Sequence, residues 1–136
     1  MMAVADMAAQ GHDVQSSLAD ISRRQSISLS FLEQLFGKLR RAGIVDSQRG
    51  AAGGYTLSRS ADVVTLDQII HAVDEDIKAH GCTPEAKIAC TGGSDKCLTH
   101  NLWGALENHI ENFLASVTVQ DVVDGRFPAN ELEAAE

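Results

Sequence analysis

The chain has 136 residues, 44% of them hydrophobic, and a formal net charge of −8. That length allows one domain, or a small domain with an appended helix, around a modest core. No apolar run approaches a membrane span, and Met1-Met2-Ala3-Val4-Ala5-Asp6 has no basic stretch leading into an apolar one, so a cytoplasmic protein without a signal peptide is expected.

Met2, Ala3, Met7 and Ala8 recur at helical spacing and Gly11 follows as a stop, which predicts a helix over residues 1–10. His12 to Gln15 reads as an extended link. Ser16 or Ser17 can cap a second helix from Leu18 to Gln25, because a serine oxygen satisfies orphan amides of the first turn. A tight turn, Gln25-Ser26-Ile27-Ser28, precedes a third helix from Leu29 to Ala42. Its buried stripe is Leu29, Leu32, Leu35, Phe36 and Leu39, and its outer side carries Ser30, Gln34, Lys38 and Arg41 with Ser28 and Glu33 alongside. Gly43 ends it, as a residue free to turn left-handed.

Ile44 to Arg49 and Tyr55 to Ser58 read as strands on either side of Gly50-Ala51-Ala52-Gly53-Gly54, a hairpin with a glycine-rich tip. Helix, helix, turn, helix and hairpin is the order of a winged helix-turn-helix domain. Val63 and Val64 are expected to add an edge strand. Thr65 and Gln68 fit a capping box that opens a fourth helix through Ile69, Ile70 and Val73, ended by the acids Asp74, Glu75 and Asp76.

Charge follows the same division. Seven basic residues, Arg23, Arg24, Lys38, Arg40, Arg41, Arg49 and Arg59, fall between positions 23 and 59 with only Glu33 and Asp46 as acids. That window carries +5 and the remainder −13. A basic face with an acidic remainder suits a nucleic-acid binder, although an ordinary solvated surface also fits.

Next comes a thiol cluster. All three cysteines and a histidine lie in Cys82-x7-Cys90-x6-Cys97-x2-His100. Such grouping points to metal or redox chemistry rather than a disulfide framework. Thiolates select zinc, copper(I) or an iron–sulfur cluster, and the spacing leaves these open. Long glycine-containing intervals suit a loop wrapped round a two-iron cluster; only Cys97 and His100 form a close pair, expected on one side of a helix start. His12, His71 and His109 read as surface histidines, and His80 stands as a reserve ligand beside Cys82.

Beyond it, Leu98, Leu102, Trp103, Leu106, Ile110, Phe113, Leu114 and Val117 mark the longest periodic segment. A helix of about 20 residues is about 30 Å long, more than so small a domain covers. Pairing with a second copy is the expected solution, with Leu102, Trp103, Leu106, Ile110, Phe113 and Leu114 at the interface; folding back on its own domain is the alternative. Thr118-Val119-Gln120-Asp121 opens a short helix containing Val122 and Val123, and an acidic tail follows, expected to be disordered. No nucleophile–base pair or conventional phosphate loop speaks for an enzyme.

Leu18-Ala19-Asp20-Ile21-Ser22, Ile27 to Phe36 and Leu39-Arg40-Arg41-Ala42-Gly43 resemble the helix-turn-helix of the bacterial IscR-type iron–sulfur cluster regulators. Arg49-Gly50-Ala51-Ala52-Gly53-Gly54-Tyr55 resembles their wing, and Asp95 to Trp103 their cluster segment and the start of their dimer helix. The resemblance implies a mainly α fold with a small β-wing, in which a winged helix-turn-helix domain is joined to a long dimerisation helix. Residues 1–64 would form the DNA-binding domain, 65–80 a linking helix, 81–100 the cluster-binding loop, 98–124 the dimerisation and short terminal helices, and 125–136 the tail.

It further implies a homodimeric transcription regulator that senses cluster status through a [2Fe-2S] cluster on Cys82, Cys90, Cys97 and His100, and controls cluster-assembly genes. Its partner would be double-stranded DNA with a pseudo-palindromic operator. Ser28, Ser30, Glu33 and Gln34 would face the major groove and Arg49 the minor groove. Independently of the resemblance, the charge of the basic window makes its Lys and Arg, Lys38 and Arg41 among them, the expected phosphate-binding cations. A zinc-stabilised winged-helix regulator and an iron–sulfur electron carrier are the rivals. The sequence departs from the family pattern in a longer interval between Cys82 and Cys90, in Ala51-Ala52 at the wing tip, and in lacking the usual basic segment before the first helix.

Overall fold

The computed structural model describes residues 1–75, 77–78 and 96–128. In chain order these form α1 (Met2–Gln10), α2 (Leu18–Gln25), α3 (Leu29–Arg41), β1 (Val45–Gln48), β2 (Gly54–Leu57), α4 (Leu66–Ala72), α5 (His100–Ser116) and α6 (Val119–Asp124). Residues 81–95 of the expected cluster loop (81–100) and 129–136 of the expected tail (125–136) lie outside the described residues.

One buried cluster holds these elements together. α1 contributes Ala3, Val4 and Met7, α2 Ile21, α3 Leu32, Phe36 and Leu39, and the hairpin Val45 and Leu57. Val64, Leu66 and Ile69 join from the start of α4, and Val117 and Val119 from the join of α5 and α6. Burying an aliphatic side chain of this kind is worth about 1.5–3 kcal/mol, so the cluster dominates the stability of the fold. The expected stripe of α3 is buried at Leu32, Phe36 and Leu39, whereas Leu35 is half-buried and Leu29, in the first turn, is 41% exposed.

Caps explain the helix ends. The Ser17 hydroxyl accepts from the Asp20 amide at 3.1 Å and starts α2. Ser26 turns left-handed (φ 54°) to end it, and Ser28 caps α3. At the far end of α3, Gly43 (φ 73°) donates to the Arg40 carbonyl and Ile44 to the Leu39 carbonyl, both at 3.0 Å. This paired reversal needs the left-handed residue that Gly43 supplies, and it buries Ile44 against the helix it has just left.

β1 and β2 pair antiparallel with Val45 opposite Leu57 and Ser47 opposite Tyr55. Ser16 adds a single rung, exchanging two 2.9 Å backbone bonds with Tyr55. Gly54 is required there, since a Cβ would stand 2.7 Å from the Ser16 carbonyl oxygen.

Two local expectations fail. Val63 and Val64 form no edge strand on the wing. The Val64 carbonyl instead accepts from Val119, and Leu66 donates to Val117, which ties the start of α4 to the join between α5 and α6. Nor does Thr65 form a capping box with Gln68: the Thr65 hydroxyl donates to the Asp67 carboxylate, and the Gln68 carbonyl accepts from Arg59 at 3.1 Å. The reciprocal box occurs at α6, where the Asp121 amide donates to the Thr118 hydroxyl and the Thr118 amide to the Asp121 carboxylate. The Thr118 amide first, and then the Thr118 hydroxyl at 2.7 Å, donate to the Asp121 carboxyl and hold it below its ordinary value. Among the described residues, no helix is long and apolar enough to cross a membrane.

Candidate nucleic-acid interface and thiol-ligand segment

With Leu32, Phe36 and Leu39 turned inward, helical geometry puts Ser30, Gln34 and Arg41 on the opposite side of α3. All three are exposed, as are Ser28 at the cap and Glu33 on the adjoining flank. The Ser28 and Ser30 hydroxyls stand 2.9 Å apart at the helix start, and Phe31 beside them is 53% exposed. Nothing in the periodicity singled out Phe31; an aromatic on the outer face of an amphipathic helix is the signal that would have.

α3 is fixed from three sides. α2 packs against it through the turn at Ser26, where the Ser22 hydroxyl donates to the Ile27 carbonyl at 2.6 Å. The hairpin reaches it through Tyr55, whose ring meets Phe36 edge to face. α4 reaches it through Lys38, whose ammonium donates to the Val73 carbonyl at 3.1 Å and lies 3.2 Å from the Asp74 carboxylate. Lys38 is therefore held toward α4 rather than presented with Gln34 and Arg41.

Other members of the basic window also have internal partners. Arg24 clamps Asp6 of α1, its Nε 3.1 Å from both carboxylate oxygens and its Nη2 2.6 Å from one of them, while Gln25 donates to the same carboxylate at 2.8 Å. Asp6 is 8% exposed. The Arg24 bond, aided by Gln25 and opposed by burial, holds its carboxyl below the ordinary range. Arg23 pairs with Asp20 and Arg59 with Gln68. Arg40, Arg41 and Arg49 are exposed, Arg49 at the wing tip just before Gly50.

Of the four expected metal ligands, Cys97 and His100 are described, and Cys82 and Cys90 lie outside the described residues. α5 begins at His100 with Thr99 as its cap, so Cys97 precedes the helix instead of sharing its first turn. A turn still links the pair: the His100 amide donates to the Cys97 carbonyl at 3.0 Å. The Cys97 sulfur lies 3.5 Å from the Thr99 hydroxyl. Among the described residues no three His, Cys, Asp or Glu side chains converge on a metal position. Three thiols and an imidazole nevertheless form a donor set whose softness fits iron–sulfur chemistry, and it fits zinc as well.

α5 leaves much of its apolar stripe uncovered. Leu102, Trp103, Leu106 and Phe113 are exposed, the last two by 40% and 41%, while Leu114 packs on the core and Ile110 is half-buried. Leu98, expected to begin the stripe, lies ahead of the helix and is fully exposed.

The Rrf2 family pattern, described as an iron-dependent transcriptional regulator, matches residues 1–125. The HTH-type transcriptional regulator IscR of Erwinia tasmaniensis is 45% identical over 124 residues, covering 91% of this chain and 73% of that one. IscR of Xenorhabdus nematophila is 46% identical over 121 residues, covering 89% and 72%. Among solved structures, CymR, the global cysteine regulator of B. subtilis, superposes with a TM-score of 0.72 at 27% identity, covering 89% of this chain and 87% of that one. T. potens IscR gives 0.69 at 29% identity, covering 97% and 88%.

Proposed function

The chain belongs to the Rrf2 family of transcriptional regulators, and from that premise we propose that it reads a pseudo-palindromic DNA operator as a homodimer and reports iron–sulfur cluster status. Its relatives are regulators, not enzymes. The observation that carries the reading is the outward face of α3, where exposed Ser28, Ser30, Glu33, Gln34 and Arg41 stand on a helix braced by the hairpin and α4.

In this reading residues 1–64 form the DNA-binding domain and 65–80 link it to the cluster loop, 81–100. Residues 98–124 make the dimer. Hydroxyl and amide groups of Ser28, Ser30 and Gln34 exchange hydrogen bonds with base edges in the major groove. Arg49 enters the minor groove from the wing, and Arg40 and Arg41 neutralise phosphates, which makes affinity salt-dependent. Glu33 repels phosphate and so excludes sites that bring backbone or an acceptor edge against it. Leu102, Trp103, Leu106, Ile110, Phe113 and Leu114 meet their counterparts across a two-fold axis, which sets the spacing of half-sites.

Cys82, Cys90, Cys97 and His100 hold a [2Fe-2S] cluster, which when bound supplies a ligated, redox-sensitive centre that orders the residues around it. The donor set alone accepts zinc equally; the iron-dependent family and the IscR relatives favour the cluster. The protein acts in the cytoplasm of a bacterium, and cluster-assembly genes are its targets.

The test is selection of duplexes from a randomised pool by wild-type protein and by Glu33→Ala. Wild type is expected to enrich an inverted repeat, and Glu33→Ala to enrich a broader set. No enrichment by wild type would overturn the DNA-reading assignment, and identical sets would overturn the role of Glu33.

A further inference from the structure

α4 ends in a reversal that most helices build with glycine. Asp74 takes the left-handed conformation at φ 57°, its amide donating to the His71 carbonyl at 3.1 Å and the Glu75 amide to the Ile70 carbonyl at 3.2 Å. A Cβ is crowded in that conformation, although aspartate tolerates it better than most residues. Strain of this kind persists where surrounding contacts enforce it. Here the contact comes from α3. The Lys38 ammonium donates to the Val73 carbonyl at 3.1 Å and pairs with the Asp74 carboxylate at 3.2 Å, so one side chain grips two consecutive residues of the reversal.

Both ends of this grip matter. Along α3, Gln34 lies one turn before Lys38 and Arg41 one turn after it, so a shift of Lys38 along or about the helix axis moves the outward face. Beyond Asp74, only Glu75 to Gly81 separate the reversal from Cys82. A lysine that holds a carbonyl and a carboxylate must release both before it reaches a phosphate.

We propose that Lys38 is a positioning residue, the joint through which the chain leading to the thiols sets the recognition helix, and not a phosphate contact. This rests on the reading of α3 as the DNA-reading helix. A displacement of Val73 and Asp74 is carried by Lys38 into α3. Two arrangements of one contact then bias DNA affinity, as coupling between separate sites requires.

The experiment uses a duplex enriched by the wild-type protein. Its affinity is measured over a range of salt concentrations for anaerobically purified protein and for protein stripped with a chelator, in wild type, Lys38→Met, Lys38→Arg and Asp74→Asn. Asparagine keeps the left-handed backbone accessible and removes only the charge, so Asp74→Asn stays informative where Lys38→Met unfolds. Lys38→Met and Asp74→Asn are expected to cut the ratio of the two affinities about fivefold or more while leaving the salt slope unchanged, with Lys38→Arg restoring the ratio. A slope reduced by about 0.9 in Lys38→Met would make Lys38 a phosphate contact and overturn the proposal. A ratio equal to wild type in both variants would make the contact a passive staple and overturn it equally. Equal affinity of the two wild-type forms would overturn metal-dependent reading itself, and would be evident before any variant is compared.

Discussion

The rings of Phe36 and Tyr55 meet edge to face, their centroids 5.0 Å apart and their planes 66° apart. Phe36 is fully buried on the inner side of α3, and Tyr55 sits in β2 with the Ser16 backbone bonded across it. Together with the reversal at Gly43 and Ile44, this contact aligns the wing with the helix it accompanies.

Phe36→Leu and Tyr55→Leu should each lower stability, and together they should show a coupling of about 0.5–1.5 kcal/mol in a double-mutant cycle by chemical denaturation. Tyr55→Leu should also weaken DNA binding, because Arg49 then hangs from a looser hairpin. Strictly additive effects on stability would mean that the rings merely share a cavity wall.

The Asp6–Arg24 clamp joins α1 to α2 and gives the domain an acid limit. The folded-state pKa of Asp6 lies below its ordinary 3.8, so the clamp stabilises fully above that value. Its contribution is lost as pH falls through 3.8 toward the lower folded value. Asp6→Asn should lower stability near neutral pH by about 1–2 kcal/mol, moderated because Arg24 remains more than a third exposed. Its unfolding midpoint should also fall less steeply between about pH 5 and pH 2 than that of wild type. Parallel wild-type and variant profiles over that range would show that the clamp does not set the acid limit.

Much of this architecture was legible in the chain itself. The inward positions of α3, the Ser17 and Gly43 caps and the glycine-rich hairpin follow from short-range rules, because each depends on neighbours within about one helical turn or one hairpin. What failed turned on competing partners, most of them farther along the chain. Val63-Val64 has the composition of a strand, but Val64 finds its backbone partner at Val119. Thr65 and Gln68 have capping-box spacing, yet Asp67 and Arg59 engage them first.

The candidate site divides in the same way. Periodicity picked out the outer residues of α3, and spacing picked out the thiols. Neither could say that Lys38 turns toward Val73 and Asp74, or that Arg24 is taken by Asp6, since outward direction on a helical wheel does not reveal which neighbouring element lies there.

The exposed stripe on α5 makes oligomeric state a direct readout. Wild-type protein should sediment at twice the 14.5 kDa chain mass, and Leu106→Glu with Phe113→Glu at the single-chain mass. Both side chains are about two-fifths exposed in the single chain, so the double variant should keep its helical circular dichroism. A wild-type monomer, or a variant that remains dimeric, would remove α5 from the interface.

The central claim is a regulator whose thiols hold an iron–sulfur cluster. It is tested most directly by anaerobic purification followed by an absorption spectrum with iron and acid-labile sulfide assays. Wild-type protein should show visible charge-transfer bands with iron and sulfide in equal amounts, and Cys90→Ala should lose them. A colourless wild-type protein carrying zinc and no sulfide would contradict the account.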